Sequence, residues 1–317
     1  MRRWLALALL LLGLPACGED LENGAFLERP RVLGARFEIA AEPERAWPAP
    51  GETVDLRWLV ASPDDTPWTG AFAACIAQPN QTGVPGCAGE PFAIAQTGAP
   101  SLDPVASLTL PPAEAFEGTT GELLVVGVLC AGGAPTLEMD CGEDALITEA
   151  VLLPMPAAIG GATNRHPTIA DATFTVDDEP WDPPPDPLPA AGCGALDPTA
   201  ALPRVAWRDG EEDPVRVGLT TQADDREEYI ETVFGEEVPR MVEAREELTV
   251  SHIATFGRFQ RLQTVVFDEA SMQREVPYRP PAQDDVPADG QTVEMIFVVR
   301  DGRGGADWTR RALCLVP

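Results

Sequence analysis

From Ala35 to Val316 the chain is a succession of short runs in which apolar and polar residues alternate, each closed by Pro, Gly or acidic residues, and none carries a sustained helical stripe. A period of two sends successive side chains to opposite faces, so each run specifies a strand with one face buried. In Thr53–Val60 the residues Val54, Leu56, Trp58 and Val60 share a face, and upstream Ala35, Phe37, Ile39 and Ala41 do the same. Phe72–Ile76, Val105–Leu110, Leu123–Cys130 and Leu146–Leu153 read as four further strands. A second block repeats the scheme with Ile169, Phe174 and Val176, then Val215–Leu219, Leu248–Thr255, Gln263–Phe267, Val293–Val299 and Trp308–Val316. Strands without helices between them rule against a parallel α/β sheet, and the expected fold class is all-β, with two β-sandwiches.

The link between the blocks, Pro154–Pro167, is rich in Ala, Gly and Pro. Pro180–Pro189 holds six prolines in ten residues and is expected to run extended and semi-rigid, as a loop spacer rather than a proline-motif ligand. Acids ahead of Tyr229, Ile230, Val233 and Phe234 suggest one short helix over Asp225–Phe234. A hydrophobic content of 44% suffices for packed cores, and 317 residues suit about two domains.

Charge excludes several chemistries. All 22 basic residues are Arg, set against 51 acids, for a net charge of −29. With no Lys there is no P-loop phosphate lysine, no Schiff-base lysine, no Ser-x-x-Lys nucleophile and no kinase strand lysine. A charge this negative repels a phosphate backbone, which argues against nucleic acid as a partner. The acids are uneven: residues 58–164 carry 12 acids and no Arg, and residues 171–317 carry 30 acids and 14 Arg. Most of this excess reads as a solvated surface that resists association.

At the N-terminus, Arg2 and Arg3 precede an apolar run, Trp4–Leu14, too short to span a bilayer of about 30 Å as a helix. Small residues and Cys17 follow, which is the anatomy of a secretory signal peptide. Leu14-Pro15-Ala16-Cys17 resembles the lipobox of bacterial lipoproteins, with Pro15 departing from the usual small residue. The resemblance implies cleavage after residue 16, acylation of Cys17, and, since Gly18 rather than Asp follows, sorting to the outer membrane. Residues 1–16 are then the signal peptide and 17–30 a lipidated tether, with domains over 31–154 and 168–317 and a linker over 155–167. An ordinary secreted protein with a leftover Cys is the competing reading.

Six more cysteines remain: Cys75, Cys87, Cys130, Cys141, Cys193 and Cys314. An even count in an exported chain argues for three disulfides, for which six cysteines allow 15 pairings. Spacing favours Cys75–Cys87 and Cys130–Cys141 as local clamps, which leaves Cys193–Cys314 as a long-range tie. No Cys-x-x-Cys occurs and neither histidine lies near a cysteine in sequence, so a zinc site is not expected.

Val32-Leu33-Gly34-Ala35-Arg36 with Pro50-Gly51-Glu52-Thr53-Val54 resembles the opening of bacterial immunoglobulin-like domains. Asn164–Ile169 resembles the boundary that introduces the next such domain, and Val298–Gly305 with Trp308 its final hairpin. Glu247–Gly257 resembles a middle strand of the module, which usually carries an aromatic where His252 stands. Together these resemble envelope lipoproteins of GC-rich proteobacteria, myxobacterial types above all, with tandem immunoglobulin-like domains. The resemblance implies a fold and not an activity.

Catalytic signatures are absent from the sequence. His252 adjoins Ser251, but neighbours on a strand face opposite ways and make no nucleophile–base pair. His252 reads as a half-buried strand residue and His166, before Pro167, as solvated. None of Ser62, Ser101, Ser107, Ser251 and Ser271 lies in a Gly-x-Ser-x-Gly elbow, and no His-Glu-x-x-His occurs. Asp301 and Asp307 flank a glycine turn, with Asp224-Asp225 and Asp284-Asp285 as further oxygens, but the spacing lacks a calcium loop's alternation and reads as a hairpin turn. No catalytic or metal residue and no cofactor is assigned. The expected function is a non-enzymatic, lipid-anchored envelope module for adhesion, scaffolding or docking. It would meet the membrane through its lipid and an envelope protein or polysaccharide through its loops. The alternatives are a calcium-dependent adhesin and a carboxylate-based polysaccharide-processing enzyme.

Overall fold

The computed structural model describes residues 24–64, 66–78, 85–119, 121–136, 140–142, 146–154, 163–169, 172–184, 192–193, 202–233 and 240–317. Residues 1–16, expected to be a signal peptide, and Cys17 lie outside the described residues. Among the described residues, twenty strands and a few single-turn 3₁₀ segments make the fold all-β. The first eight strands are β1 (Arg31–Glu38), β2 (Thr53–Ala61), β3 (Trp68–Gln78), β4 (Gly86–Cys87), β5 (Ala93–Gln96), β6 (Val105–Thr109), β7 (Glu122–Ala131) and β8 (Leu146–Pro154). They form an antiparallel sheet β1-β2-β6 facing a second antiparallel sheet β4-β3-β7-β8, on which β5 also pairs with β3. Alternation does what the sequence requires: Val54, Leu56, Trp58 and Val60 of β2 point into one core against Phe72, Leu123, Val125 and Leu129 of the other sheet. Trp58 stacks on Phe72 at 5.0 Å between ring centroids. A β-carbon at Gly127 would stand 2.5 Å from the Phe72 ring, so glycine there makes room for the stack.

The second set is β9 (Thr173–Val176), β10 (Glu179–Pro180), β11 (Arg204–Ala206), β12 (Val215–Thr220), β13 (Glu228–Val233), β14 (Arg240–Arg245), β15 (Leu248–Ala254), β16 (Arg258–Phe259), β17 (Gln263–Val266), β18 (Gln273–Arg279), β19 (Gln291–Arg300) and β20 (Ala306–Val316). Sheet β10-β9-β12-β18-β16 packs on sheet β11-β20-β19-β15-β17, in which only β11 with β20 is parallel. Their shared core holds an aromatic group in which Phe174, Phe259 and Phe297 meet Trp181, Tyr278 and His252. The helix expected over Asp225–Phe234 is not formed. A 3₁₀ turn at Ala223–Asp225 leads instead into β13, which pairs with β14 as a two-stranded hairpin outside both sheets. The β13 sequence, Glu-Tyr-Ile-Glu-Thr-Val, carries no clean period of two, so nothing local marked it as a strand, and Ile230 is exposed.

The two cores are joined by a third apolar cluster. Leu59 and Ala61 of β2 point away from their own sandwich and meet Ile253, Ile296 and Val298 on the back of the second, with Leu27 between them. Central strands β2 and β19 are therefore buried on both faces. Residues 24–27, expected to be part of a free tether, are packed: Ala25 enters the second core, and Phe26 bridges Ala254 in parallel at the edge of β15. The end of the linker is docked as well, since Arg165 bridges Arg45 and Asn164 is fully buried.

Candidate functional site

Both histidines and the acids Asp225, Asp301 and Asp307 singled out by the sequence have structural partners. Ser251 and His252 face opposite sides of β15. The Ser251 hydroxyl takes Arg300 at 3.3 Å and Gln263 at 3.4 Å, while the His252 ring lies 5.6 Å from Phe259 with Nε2 3.2 Å from the Thr264 hydroxyl. His252 is fully buried rather than half-buried, because β15 is a central strand of its sheet. Burial pushes its imidazole down to about 4. His166, expected to be solvated, is instead buried where the linker crosses between the sandwiches. Its Nδ1 stands 3.1 Å from the Ala306 amide nitrogen and its Nε2 2.7 Å from the Phe37 carbonyl oxygen. A backbone N–H only donates and a carbonyl only accepts, so the ring is the neutral Nε2–H tautomer, one bond to each sandwich. Burial lowers its pKa as well.

The Asp301–Asp307 loop is a turn whose carboxylates are occupied by N–H donors. Asp301 accepts from the backbone of Arg303 at 2.7 Å and Gly305 at 2.9 Å, and from the Asn164 side chain at 2.7 Å. Asp307 accepts from Arg36 at 2.5 Å and from the Ile169 backbone at 2.9 Å. Beside this loop the Arg303 guanidinium lies over both Trp47 and Tyr229 and pairs with the buried Glu246 at 2.7 Å. Burial pushes the Glu246 carboxyl up to about 7 in spite of that partner. Asp225 is held by Thr168 and Gln222, whereas Asp284 and Asp285 are exposed. Among the described residues no three His, Cys, Asp or Glu side chains gather as metal ligands.

Cys75–Cys87, Cys130–Cys141 and Cys193–Cys314 stand as disulfides with Cα separations of 5.5, 5.4 and 5.6 Å. The first two lie on the outer face of the β3–β7 sheet, and the third ties Cys193 to β20; the proline-rich stretch expected to run extended lies in part, from residue 185 on, outside the described residues.

Two concavities stand out among those of the described residues. One, of about 340 Å³, opens at the joint between the bulged start of β1 (Val32–Ala35), β8 and the β19–β20 turn. Leu33 is the extra residue of that bulge, since Val32 pairs with Val60 and Gly34 already with Leu59. Gly304 closes the turn at φ +103, with Pro154 so near that a β-carbon would approach it to 2.5 Å. The other, of about 1100 Å³, lies at one end of the second sandwich, where Trp207, Phe256 and Phe26 meet Asp209, Glu211 and Asp285. Neither was legible beforehand: no motif marks them, and their walls come from segments far apart in sequence. No known protein-family profile matches the chain, and no curated protein is significantly similar to it. Among the described residues no helix is long and apolar enough to cross a membrane.

Proposed function

We propose that this is a lipid-anchored protein of a bacterial cell envelope, built from two immunoglobulin-like units and working as an adhesion, scaffolding or docking module without an active site. One observation carries the reading. Six of the seven cysteines pair off, which suits an oxidising compartment, and the seventh is Cys17, at the end of the apolar leader. Several acyl chains on one cysteine hold a protein durably to a bilayer. Mass spectrometry of the mature chain tests the anchor: an acylated N-terminal Cys17 is expected, with Cys17→Ala moving the protein to the soluble fraction. An unmodified chain that still begins at Met1 overturns it.

The larger cleft favours a polysaccharide as the docked partner, because half-exposed aromatic rings beside carboxylates suit sugar faces and hydroxyls. Glu211 is held there by Arg279 and so serves structure before chemistry. Release of new reducing ends from an envelope polysaccharide would move the reading to the carboxylate-based enzyme. A melting temperature that rises with calcium and falls with chelator would move it to calcium-dependent adhesion.

A further inference from the structure

Arg300 ends β19 at the joint and lines the smaller cleft beside Val32, Leu33, Ala35, Trp58 and Val151. Its fellow arginines there have carboxylates: Arg36 has Asp307 and Glu38, Arg57 has Glu38, Arg303 has Glu246 and Arg310 has Glu294. Among the described residues Arg300 has none. Its Nη2 donates to the Leu33 carbonyl and its Nη1 to the Ser251 hydroxyl, two of the five N–H bonds a guanidinium carries. Burial lowers its pKa, with no acid opposing the effect. In a chain with 51 acids against 22 bases, a half-buried cation facing apolar walls without a counter-charge is a costly arrangement.

We propose that the cleft between the two sandwiches binds an aliphatic monocarboxylate, its carboxylate paired with Arg300 and its hydrocarbon laid between the β1 bulge and β8. The volume falls within the range of small-molecule sites. Two oxygens matched to a planar guanidinium form the strongest ion pair available to a side chain, and the neighbouring walls reward a tail that water does not. The site goes beyond the docking reading and does not depend on the anchor, since every residue in it belongs to the two sandwiches.

Decanoate titrated calorimetrically into the purified protein tests this, with decanol and acetate as the matched controls. Saturable binding of decanoate is expected, with decanol and acetate each weaker by about tenfold or more, and with Arg300→Gln weakening decanoate by a similar factor. Leu152→Trp, at a lining position 40% exposed and thus tolerant of change, narrows the cleft while leaving Arg300 in place, and is expected to weaken decanoate too. Should Arg300→Gln fail to fold, Leu152→Trp and the decanol comparison decide. The proposal is overturned if decanol binds as tightly as decanoate, if no decanoate binding saturates below about 1 mM, if folded Arg300→Gln or Leu152→Trp binds like the wild type, or if an apolar peptide C-terminus binds where decanoate does not.

Discussion

At the residue scale the two histidines show how burial turns an ionisable group into a packing element. The folded protein holds His252 down to about 4, against about 6.5 for an unfolded chain. Folding thus favours the neutral ring. The stability this contributes is complete above about pH 6.5 and is lost as pH falls toward 4. His252→Phe, which keeps a ring among Phe259 and Phe297, removes the proton from that balance. Denaturant melts at pH 7 and pH 4 are expected to show the variant losing about 3 kcal/mol less stability than the wild type over that interval; equal losses would assign the acid sensitivity elsewhere. Gly127 is the converse case, a residue whose value is its missing side chain. Gly127→Ala drives a methyl into the Phe72 ring and is expected to cost about 1–3 kcal/mol in the same assay.

At the scale of elements, the disulfides separate local from global restraint. Cys75–Cys87 and Cys130–Cys141 span 12 and 11 residues, whereas Cys193–Cys314 spans 121. Loop-closure entropy grows with the length closed, so removing the long tie should cost nearly 5 kcal/mol and either short one about 3. Thermal melts of the three paired Cys→Ala variants rank them, and a ranking led by a short clamp would contradict the entropic account. The elements themselves were unevenly legible. Strands such as β2 and β19 announced themselves because a buried face needs every second residue apolar. β18 did not, because Pro277 and charged neighbours occupy its outward positions and only Val276 and Tyr278 mark its core face. The β13–β14 hairpin was hidden in the same way, by acids that mimic a helix start. The cysteine pairing was readable from spacing. The cleft was not, since what sets Arg300 apart from the other arginines at the joint is a missing carboxylate, and that is a property of three dimensions.

At the scale of the whole molecule, the joint decides whether two sandwiches behave as two bodies or one. Leu59 and Ile296 are both fully buried between them, and His166, Arg36 and Trp308 add polar ties across the same seam. Calorimetry is expected to show one cooperative transition for the wild type. In Leu59→Asp, which places a charge in that apolar seam, two separated transitions are expected. Two transitions in the wild type would show that the seam does not couple the units. The segment before β1 adds a mechanical corollary. Phe26 is bound to the edge of β15, and that strand belongs to the far half of the chain. Tension drawn through the residues preceding Gly24 thus meets the far half of the chain at Phe26 and the near half through Leu27 and Arg31, so a pull is shared by both sandwiches at their seam before it runs along β1.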